Sequence, residues 1–522
     1  MCRRDPARAE LELNPAATAA VAAVLAAGAA CAWLRWLRVA QREHYLAGAA
    51  SRFAWRWWSS SAGSGALAAV GVAAVACACA APPVAAVTGL AAVVGPLGLG
   101  VRGRTSPLGW TRRLRTLGAV AAAILVGLGV AAALCPWPLA AGAGIVVVVP
   151  VVVDLAAWLL APIEDRLASP WVDRARRRLA RVNPMIVAIT GSFGKTSTKH
   201  HLAELLAGST SVVPTPRSFN NRAGLARAIN EHLVDGTKVF IAEMGTYGPG
   251  EIRSMCSWCQ PDVSVLTSIG PVHLERFGTI ERIVASKAEI AETAREVVCN
   301  VDDARLRELA ASLRASGRAV LTAGSAHAGA EVRVEVVAER WRVIVRGETV
   351  LVTSPIPGIQ ATNLACALAA GIALGFDPSV LASRIPRVAP VANRLTVASA
   401  PSGVLVIDDT YNSNPAGAGA ALELLGGLPV EGRRVVVTPG MVELGSRQRT
   451  ENEAFAGAAA RVAAVIVVVG RTNLAALRKG AEAGGAAIVR VPTRERAVEW
   501  VRGSLGHGDS VLYENDLPDH YP

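Results

Sequence analysis

Two patterns of apolar and polar positions divide this chain near residue 165. Before that point, apolar residues run on in stretches long enough to cross a lipid bilayer. After it, short apolar runs alternate with amphipathic stretches. A transmembrane helix needs about 20 consecutive apolar residues, whereas alternating strand-like and helix-like segments are typical of a mostly parallel sheet. The pattern therefore predicts an α-helical membrane region followed by α/β domains.

The membrane region, residues 1–165, is predicted to contain about five transmembrane helices. Residues 16–32 form one apolar run. Residues 64–101 contain 38 residues without a charge, broken by a Pro-Pro pair, which exceeds the length of one span and fits two. Two more runs, residues 117–134 and 139–160, are separated by a Pro-Trp-Pro turn.

Charge is concentrated in this half of the chain. Residues 1–183 carry 19 Arg, no Lys and 8 acidic residues, a net charge of +11 out of +12 for the whole chain. The basic character therefore belongs to the membrane half, and no nucleic-acid partner is predicted. Arg residues cluster in segments 35–63 and 102–116. By the positive-inside rule these loops are cytoplasmic, which predicts a multi-pass protein of the bacterial plasma membrane with its N-terminus outside and its C-terminal half in the cytoplasm.

Two polar features interrupt the membrane half. Residues 166–183 contain a basic stretch that we interpret as a juxtamembrane linker able to lie on anionic lipid. Asp154 lies inside the last apolar run, where it marks either a polar pathway or a hydrated position near the cytoplasmic end. The sequence leaves open whether the spans bind a substrate or only anchor the chain.

The remaining sequence predicts two α/β domains, residues 184–390 and 391–522. Short alternating strands over residues 331–353, with a turn at Arg346 and Gly347, predict an antiparallel flap at the end of the first domain. Strand candidates of the second domain lie at residues 404–407, 435–437, 465–469 and 488–491. The Cys256 and Cys259 pair is interpreted as two thiols on one helix face, with a metal or redox role as the alternative.

The segment from Thr190 to Thr198 reads Thr-Gly-Ser-Phe-Gly-Lys-Thr-Ser-Thr, after a strand-like run and before a helical one. This order forms a cradle in which backbone N–H groups and a helix N-terminus face phosphates. Lys195 can reach the terminal phosphates, and the Thr196 hydroxyl can hold Mg²⁺. The glycine spacing is shorter than in ordinary P-loop ATPases. The predicted phosphate-binding residues are Gly191, Ser192, Gly194, Lys195, Thr196 and Ser197.

Other polar residues follow predicted strands. Glu243 ends an apolar run, where it is either a ligand for a hard cation or a solvated loop carboxylate. His273 follows another strand, and Lys287 lies in a helical stretch; each residue type at such a position is more often structural. Asp408 and Asp409 end a strand of the second domain, where they could hold a ribose or a cation.

Taken in order, these motifs resemble the Mur ligase family over residues 184–505, and within it the ligases that add D-Ala-D-Ala to UDP-N-acetylmuramoyl-tripeptide. The matching segments are residues 190–198, 215–221, 243–245, 249–252, 273–290, 393–394, 408–415 and 443–445. The resemblance implies a central P-loop ATPase domain and a C-terminal Rossmann-like domain.

The resemblance also implies the site. ATP would contact Asn363, Arg394 and Asp409 in addition to the phosphate loop. The implied Mg²⁺ ligands are Thr196, Glu243, His273 and Lys287, and Lys287 matches the family's carbamylated lysine. The implied catalytic residues are Lys195, Lys287, His273 and Glu243. The implied substrate-binding residues are Asn220, Asn221, Tyr411, Asn412 and Asn414.

Several positions depart from the family's pattern. Membrane spans stand in place of the soluble domain that holds the UDP group. Ile359 and Gln360 stand at a usual His-Asn pair, Gly440 replaces an Asp, and Asn452 replaces a His. Residues 512–519 are acidic where the family has a Lys-Gly-Ser segment, which suits a cationic amine or forms a solvated tail. The C-terminal domain receives the amine in this family, so the amine stays open.

These inferences predict an ATP-dependent acid–amino-acid ligase that acts through an acyl phosphate in peptidoglycan or cell-envelope precursor synthesis. It would join an amino acid or a D-Ala-D-Ala-like dipeptide to a muramoyl-peptide or lipid-linked acceptor at the lipid bilayer. One alternative is a polyglutamate-forming ligase of the same fold. Another is a P-loop membrane transporter or regulator, which only the spans favour.

Overall fold

The computed structural model describes residues 14–103, 105, 107–391, 393–411 and 413–522. The chain divides into two compact units. The first contains the residues through Leu167 together with Leu517–Pro522, and the second contains Ala168–Asp516. The predictions for residues 1–13, Arg104 and Asn412 fall outside the described residues.

The first unit is helical. Its helices are α1 (Pro15–Arg42), α2 (Ala49–Trp58), α3 (Ala62–Cys77), α4 (Ala85–Val94), α5 (Arg112–Ala133) and α6 (Pro138–Val182), the last of which continues into the second unit. Among the described residues, α1, α5 and α6 are long and apolar enough to cross a membrane, and the count is four if α2 and α3, bent by 111°, form one broken span.

The sequence predicts about five spans, whereas the described residues contain three or four candidates by length and hydropathy. The uncharged run over residues 64–101 does not form two spanning helices, because α3 ends at Cys77 before Pro82 and Pro83. Proline lacks the N–H that a continuing helix needs. The following helix, α4, has 10 residues and is about 15 Å long, which is roughly half the thickness of the hydrocarbon core.

Asp154, in the middle of α6, has a structural role. Its buried carboxylate accepts the N–H groups of Ala50 at 3.0 Å and Ser51 at 2.8 Å, and the Ser51 hydroxyl as well. These residues begin α2, whose N-cap residue, Gly48, offers no side-chain acceptor. The carboxylate thus caps the positive end of α2, a third role beside the two that the sequence left open.

The last six residues, Leu517–Pro522, pack among the helices of the first unit. Trp57 donates its indole N–H to the carbonyl of His520 at 2.8 Å. Arg38, which is fully buried, pairs with Asp519 at 3.5 Å. The alternative of a solvated acidic tail is therefore wrong for these residues.

The central domain of the second unit is built on a nine-stranded sheet. Its strands are β1 (Met185–Thr190), β2 (Val212–Pro214), β3 (Val239–Glu243), β4 (Val263–Leu266), β5 (Glu296–Asn300), β6 (Ala319–Gly324), β7 (Val332–Val337), β8 (Arg340–Val345) and β9 (Glu348–Thr353). The spatial order is β2-β3-β1-β4-β5-β6-β7-β8-β9. In this spatial order, neighbouring strands from β2 through β1 to β7 pair in parallel. Strands β7, β8 and β9 pair antiparallel, which confirms the predicted flap.

Helices cover both faces of this sheet. They are α7 (Lys195–Leu206), α8 (Arg222–His232), α9 (Glu251–Cys256), α10 (Leu274–Phe277), α11 (Ile280–Ala288), α12 (Ala304–Ala315), α13 (Ala361–Ala373) and α14 (Pro378–Ala382). The side chains of each strand point alternately to the two faces of the sheet, so an apolar cluster forms on each face. Helix α7 starts directly after β1, so its N-terminus lies at the carboxyl edge of the sheet.

The end of α6 belongs to this core and is not an extended linker. Residues 168–182 are helical, and Val172, Ala175 and Leu179 pack into one of the two clusters. Their spacing of three and four residues places them on one helix face. Arg178 donates to the carbonyl of Asn230 at 2.7 Å, which further ties this helix to the domain.

The C-terminal domain has a six-stranded sheet. Its strands and helices are β10 (Thr396–Ser399), β11 (Leu405–Asp409), α15 (Pro415–Gly427), β12 (Arg434–Thr438), α16 (Gln448–Val462), β13 (Val465–Val469), α17 (Leu474–Gly484), β14 (Ala487–Val491), α18 (Arg494–Ser504) and β15 (Ser510–Glu514). The order is β10-β11-β15-β12-β13-β14, with only β10 antiparallel among these described strands. The four predicted strands are confirmed as β11 to β14. The last strand, β15, lies in the centre of the sheet.

The Cys256 and Cys259 thiols are both buried in the apolar core. Burial raises the pKa of Cys256 to about 12, with smaller contributions from Glu292 and Glu289. The pKa of Cys259 is also raised by burial. A thiol that stays protonated is neither a nucleophile nor a metal ligand, so the metal or redox alternative loses its support.

Candidate active site

The phosphate loop connects β1 to α7 and is clamped by the end of β4. The Thr267 hydroxyl donates to the carbonyl of Phe193 at 2.6 Å, and the Ser268 hydroxyl accepts the Phe193 N–H at 2.9 Å. Gly194 has a φ of +82° and caps α7, and a side chain there would overlap Asn363. Glycine is required because the loop turns sharply with the neighbouring chain so close. The result is a rigid turn that aims the α7 N-terminus at a ligand.

Two lysines meet at one carbonyl of this loop. Lys195 donates to Gly191 O at 2.7 Å, and Lys287, from α11, donates to the same oxygen at 3.0 Å. Burial lowers the pKa of Lys287 far below its ordinary value, and the Lys195 charge lowers it further. Burial and Arg394 also lower the pKa of Lys195, against the opposing effect of Glu243. Two ammonium groups this close disfavour each other's charged form.

Glu243, at the end of β3, is the buried centre of a polar cluster. It accepts the Thr196 hydroxyl at 3.0 Å, Lys199 Nζ at 2.9 Å and Asn220 Nδ2 at 3.1 Å. Burial alone would raise its pKa, but the Lys199 and Lys195 charges and the hydrogen bonds together lower it. The carboxylate is therefore ionised beside the phosphate loop, and the alternative of a solvated loop glutamate is wrong.

The Thr196 hydroxyl and the Glu243 carboxylate place two oxygen donors next to the phosphate loop. Hard cations such as Mg²⁺ prefer this donor set, usually completed by substrate phosphates and water. The pair therefore fits Mg²⁺. Among the described residues, no group of three or more His, Cys, Asp and Glu side chains is arranged to hold a metal.

His273 has a different environment from these residues. Its φ is +60°, and its Nδ1 pairs with Glu443 of the C-terminal domain. Glu443 also accepts Arg276 at 3.2 Å. The structure thus brings His273 to the junction of the two α/β domains, and its implied role as a metal ligand stays a prediction.

A cleft beside the phosphate loop joins the two α/β domains. Its walls include Gly194, Ser197, Asn363, Arg394, Asp409 and Asn414. The implied nucleotide contacts, Asn363 from α13, Arg394 and Asp409 from β11, thus come together beside the loop. The buried Nε of Arg394 has no hydrogen-bond partner, and its guanidinium lies 4.4 Å from the Tyr411 ring. An unpaired buried donor in a cleft indicates a site for a polar ligand.

Asp409 and His201 also line this cleft, and burial shifts the pKa of both side chains. It raises the pKa of Asp409 to about 6, although the Leu395 N–H and Arg394 act in the opposite direction. It lowers the pKa of His201 to about 4, with a smaller effect of His200. At neutral pH the cleft thus contains a neutral imidazole and a carboxylate that protonates easily, next to the Arg394 cation.

The implied substrate-binding residues fall into two groups in the structure: some lie at the polar cluster or the cleft, and others cap helices. Asn220 binds Glu243, and Tyr411 stacks on Arg394 at the cleft. Asn221 accepts the Gly224 N–H at 2.8 Å and caps α8. Asn414 accepts the Gly417 N–H at 3.0 Å and caps α15, and it also lines the cleft. Both caps have a structural role whether or not they touch a substrate.

Two of the departures from the family's pattern, Gly440 and Asn452, lie together around one turn. Gly440 has a φ of +76°, and a side chain at this position would overlap Asn452 and Asn473. Asn452 is fully buried and holds Met441 through both of its backbone polar groups, at 2.8 and 2.9 Å. The position that is usually Asp is thus closed by two amides, those of Asn452 and Asn473.

Glu514 ends the central strand β15 and is fully buried. It accepts hydrogen bonds from Ser413 and from Thr438, the latter at 2.9 Å. Burial raises its pKa to about 7 despite these bonds, and the Asp409 charge adds to the rise. A solvated tail is thus excluded for Glu514 as well, and a proton is held close to the cleft.

Glu514 should make the stability of the protein depend on pH. Its pKa in the folded state, about 7, lies above the ordinary value of 4.5, so the folded state binds the proton more tightly. This stabilisation is complete below the ordinary pKa and is lost as the pH rises through the folded pKa. In Glu514→Gln, the fall in the free energy of unfolding between about pH 5 and about pH 8 should be smaller by about 2 kcal/mol.

The measurement is thermal unfolding of full-length protein in detergent across this pH range. Glu482→Gln, which removes an exposed carboxylate of α17, is the matched control and should follow the wild type. An unchanged pH profile in Glu514→Gln would show that Glu514 is ionised in the folded protein.

Sequence reasoning missed Lys199 and Glu443 as site residues. Lys199 is fully buried and pairs with Glu243. It follows Lys195 by four residues in α7, so the two side chains share a helix face, and this spacing was a usable signal. Glu443 lies in a matching motif, but nothing local indicates its pairing with His273, 170 residues away.

Two family models match the second unit. Residues 189–372 match the Mur ligase middle domain, and residues 393–513 match the domain described as Mur ligase, glutamate ligase domain. The UDP-N-acetylmuramoyl-tripeptide–D-alanyl-D-alanine ligase of Mycobacterium leprae (strain TN) is 30% identical over 362 residues, which cover 63% of this chain and 70% of that protein. Residues before 189 lie outside both family models.

Solved structures agree in fold. MurF ligase from Thermotoga maritima in complex with ADP is 28% identical, with a TM-score of 0.56 over 67% of this chain and 80% of that one. MurF from Acinetobacter baumannii is 22% identical, with a TM-score of 0.57 over 66% of this chain and 77% of that one. The second likeness concerns the fold alone.

Proposed function

Because the chain belongs to the Mur ligase family of ATP-dependent ligases, we propose that it forms an amide between a carboxylate and an amine of peptidoglycan or cell-envelope precursors. The acid would be a muramoyl-peptide or a lipid-linked acceptor, and the amine an amino acid or a D-Ala-D-Ala-like dipeptide. We further propose that the first unit lies in the bacterial plasma membrane, with the N-terminus outside and the ligase domains in the cytoplasm.

One observation carries this proposal. The rigid phosphate loop, with the ionised Glu243 beside Thr196, lies in the same cleft as Asn363, Arg394 and Asp409. A nucleoside in the cleft would place its phosphates at the α7 N-terminus. This is the geometry that an ATP-using enzyme needs, and a simple glycine turn would not bring three distant segments to its side.

The chemistry would take two steps. The substrate carboxylate attacks the γ-phosphorus of ATP, which forms an acyl phosphate and releases ADP. The amine then attacks the acyl carbon, a C–N bond forms, and phosphate and a proton leave. Lys195 would move from the Gly191 carbonyl to the γ-phosphate and neutralise its charge. The contacts of Glu443 with His273 and Arg276 would hold the two domains closed and exclude water.

Thr196 and Glu243 are the residues that would hold Mg²⁺, which supplies charge neutralisation at the phosphates when bound. Lys287 would act as a carbamate. Its lowered pKa supports this role, because only a neutral amine reacts with CO₂. Lys199 would keep Glu243 oriented toward Thr196.

Experiment decides which acceptor and which amine the protein uses. The closed turn at Gly440 and the buried Asn452 favour an amine other than the family's usual one. The membrane unit in place of a UDP-binding domain favours a lipid-linked or membrane-proximal acceptor. A polyglutamate-forming ligase would use glutamate as the amine, and a P-loop transporter or regulator would hydrolyse ATP without either substrate.

The test is phosphate release by full-length protein in detergent with ATP and Mg²⁺. One arm contains UDP-N-acetylmuramoyl-tripeptide and D-Ala-D-Ala; a second contains bacterial membrane lipid extract and an amino-acid pool; a third contains ATP alone. The ligase proposal expects turnover only when an acid and an amine are both present. Stimulation by the first arm would identify a soluble acceptor, and stimulation by the second a lipid-linked one. Equal turnover with ATP alone would overturn the proposal.

A further inference from the structure

The first unit contains a cavity of about 390 Å³ that the proposed reaction does not use. It is enclosed by α1, α2, α3, α4 and α6, and its lining is almost wholly apolar. Its volume is in the range of sites that bind small molecules. Four of its lining side chains, Trp55, Val72, Val147 and Val151, are also 41–79% exposed. The cavity therefore opens on the outer surface of apolar helices, where hydrocarbon chains have access to it.

One charged side chain lines this cavity. Arg35, in α1, is 6% exposed and donates to the carbonyls of Ala92, Val93, Gly95 and Leu99. No carboxylate among the described residues pairs with it. Of the five guanidinium N–H groups, one on Nη2 is left over. Both hydroxyls of the lining already donate hydrogen bonds. The Ser51 hydroxyl donates to Asp154, and the Thr88 hydroxyl donates to Gly71 O at 2.7 Å.

Arg38, one helical turn further along α1, differs from Arg35 because it has a carboxylate partner. Arg38 is also buried, but it pairs with the carboxylate of Asp519. Arg35 has only the carbonyls at the end of α4, and a helix C-terminus carries roughly half a negative charge. A full positive charge in an apolar site is costly unless an anion pairs with it. The cavity thus offers one unbalanced cation and a long apolar wall.

We propose that this cavity binds one molecule of an anionic membrane lipid, with the headgroup phosphate at Arg35 and a hydrocarbon chain along the apolar wall. Trp36, Trp55 and Trp58 line the same cavity, as is typical of side chains at the depth of lipid headgroups. The inference does not depend on the ligase assignment, because every residue that carries it lies in the first unit.

Native mass spectrometry of the full-length protein in detergent tests the proposal. The protein is titrated with dioleoyl phosphatidylglycerol and, separately, with dioleoyl phosphatidylcholine, and retained lipid molecules are counted. Both lipids carry a phosphate, but only phosphatidylglycerol has a net negative charge that balances the Arg35 cation. We therefore expect one phosphatidylglycerol to be retained with about tenfold preference over phosphatidylcholine. Equal retention of both lipids by the wild type would overturn the proposal.

A matched pair of variants tests the cavity itself. Ala68→Phe fills it from α3, while Ala69→Phe makes the same change at the next, exposed position outside the lining. Retention of phosphatidylglycerol should fall about tenfold in Ala68→Phe and stay at the wild-type level in Ala69→Phe. Equal retention by the two variants would mean that lipid binds elsewhere on the helices.

A second pair tests the charge. Arg35→Gln should abolish the preference for phosphatidylglycerol, whereas Arg52→Gln, an exposed position on α2, should keep it. A preference that survives in Arg35→Gln would contradict the assignment of the headgroup. If Arg35→Gln does not fold, the Ala68 and Ala69 pair decides the question on its own.

Discussion

Replacement of Lys195 by alanine is expected to lower ATP-dependent amide formation by about 10³-fold, because the ammonium is the loop's only side-chain cation and acts where charge develops in the transition state. The loss should appear in kcat and kcat/KM together. The measurement is the initial rate of phosphate release, with whichever acid and amine the substrate arms identify.

Lys238→Ala is the matched control for this variant. Lys238 is exposed and precedes β3, outside the cleft, so its removal should leave the rate unchanged. Thermal unfolding of both variants shows whether the fold is retained. A Lys195→Ala protein that keeps more than about a tenth of the wild-type rate would remove the phosphate loop from the mechanism.

Lys287→Ala is expected to lower the rate by about 10²- to 10³-fold, and a short-chain carboxylate such as acetate should restore part of it. The amine is buried, and burial and the Lys195 charge strongly lower its pKa, which favours the neutral form. A neutral amine adds to CO₂ to form a carbamate and releases a proton. The carbamate puts an anion in place of the amine near the phosphate loop, and an anionic oxygen donor is the kind of ligand that Mg²⁺ prefers.

Dependence on CO₂ separates this role from a structural one. Wild-type protein in CO₂-depleted buffer should lose activity, and bicarbonate should restore it. Lys287→Arg introduces a permanent cation at this position and cannot form a carbamate, so it should be inactive and should not respond to acetate. If CO₂ depletion has no effect and acetate gives no rescue, Lys287 acts as an amine that donates to Gly191 O.

The apolar N-terminal region shows how local sequence patterns succeed and fail. Hydropathy predicts that helices exist here, since a run of apolar residues has no other stable form in lipid. It does not predict how many of them have the length of a span. The chain breaks at Pro82 and Pro83, which leaves α4 short, and α2 and α3 are bent by 111° at a separate break. Asp154 is similar: the sequence leaves its role open, because its partner, the α2 N-terminus, is more than 100 residues away.

By itself, the sequence determined the elements and the chemistry of the phosphate loop. The strand-turn-helix at residues 185–206, the antiparallel flap and the strands β11 to β14 all follow from apolar periodicity and turn residues, which act over a few positions. The motif order also determined the family. These features are local, so each is encoded in a short segment.

Only the tertiary structure decided which distant residues meet. The pairing of Lys199 with Glu243, the gathering of Asn363, Arg394 and Asp409 in one cleft, and the packing of Leu517–Pro522 among the first helices depend on sheet order and on long-range packing. No local pattern encodes them, because the free energy that selects them comes from burying apolar surface and pairing charges between segments that are far apart in the chain.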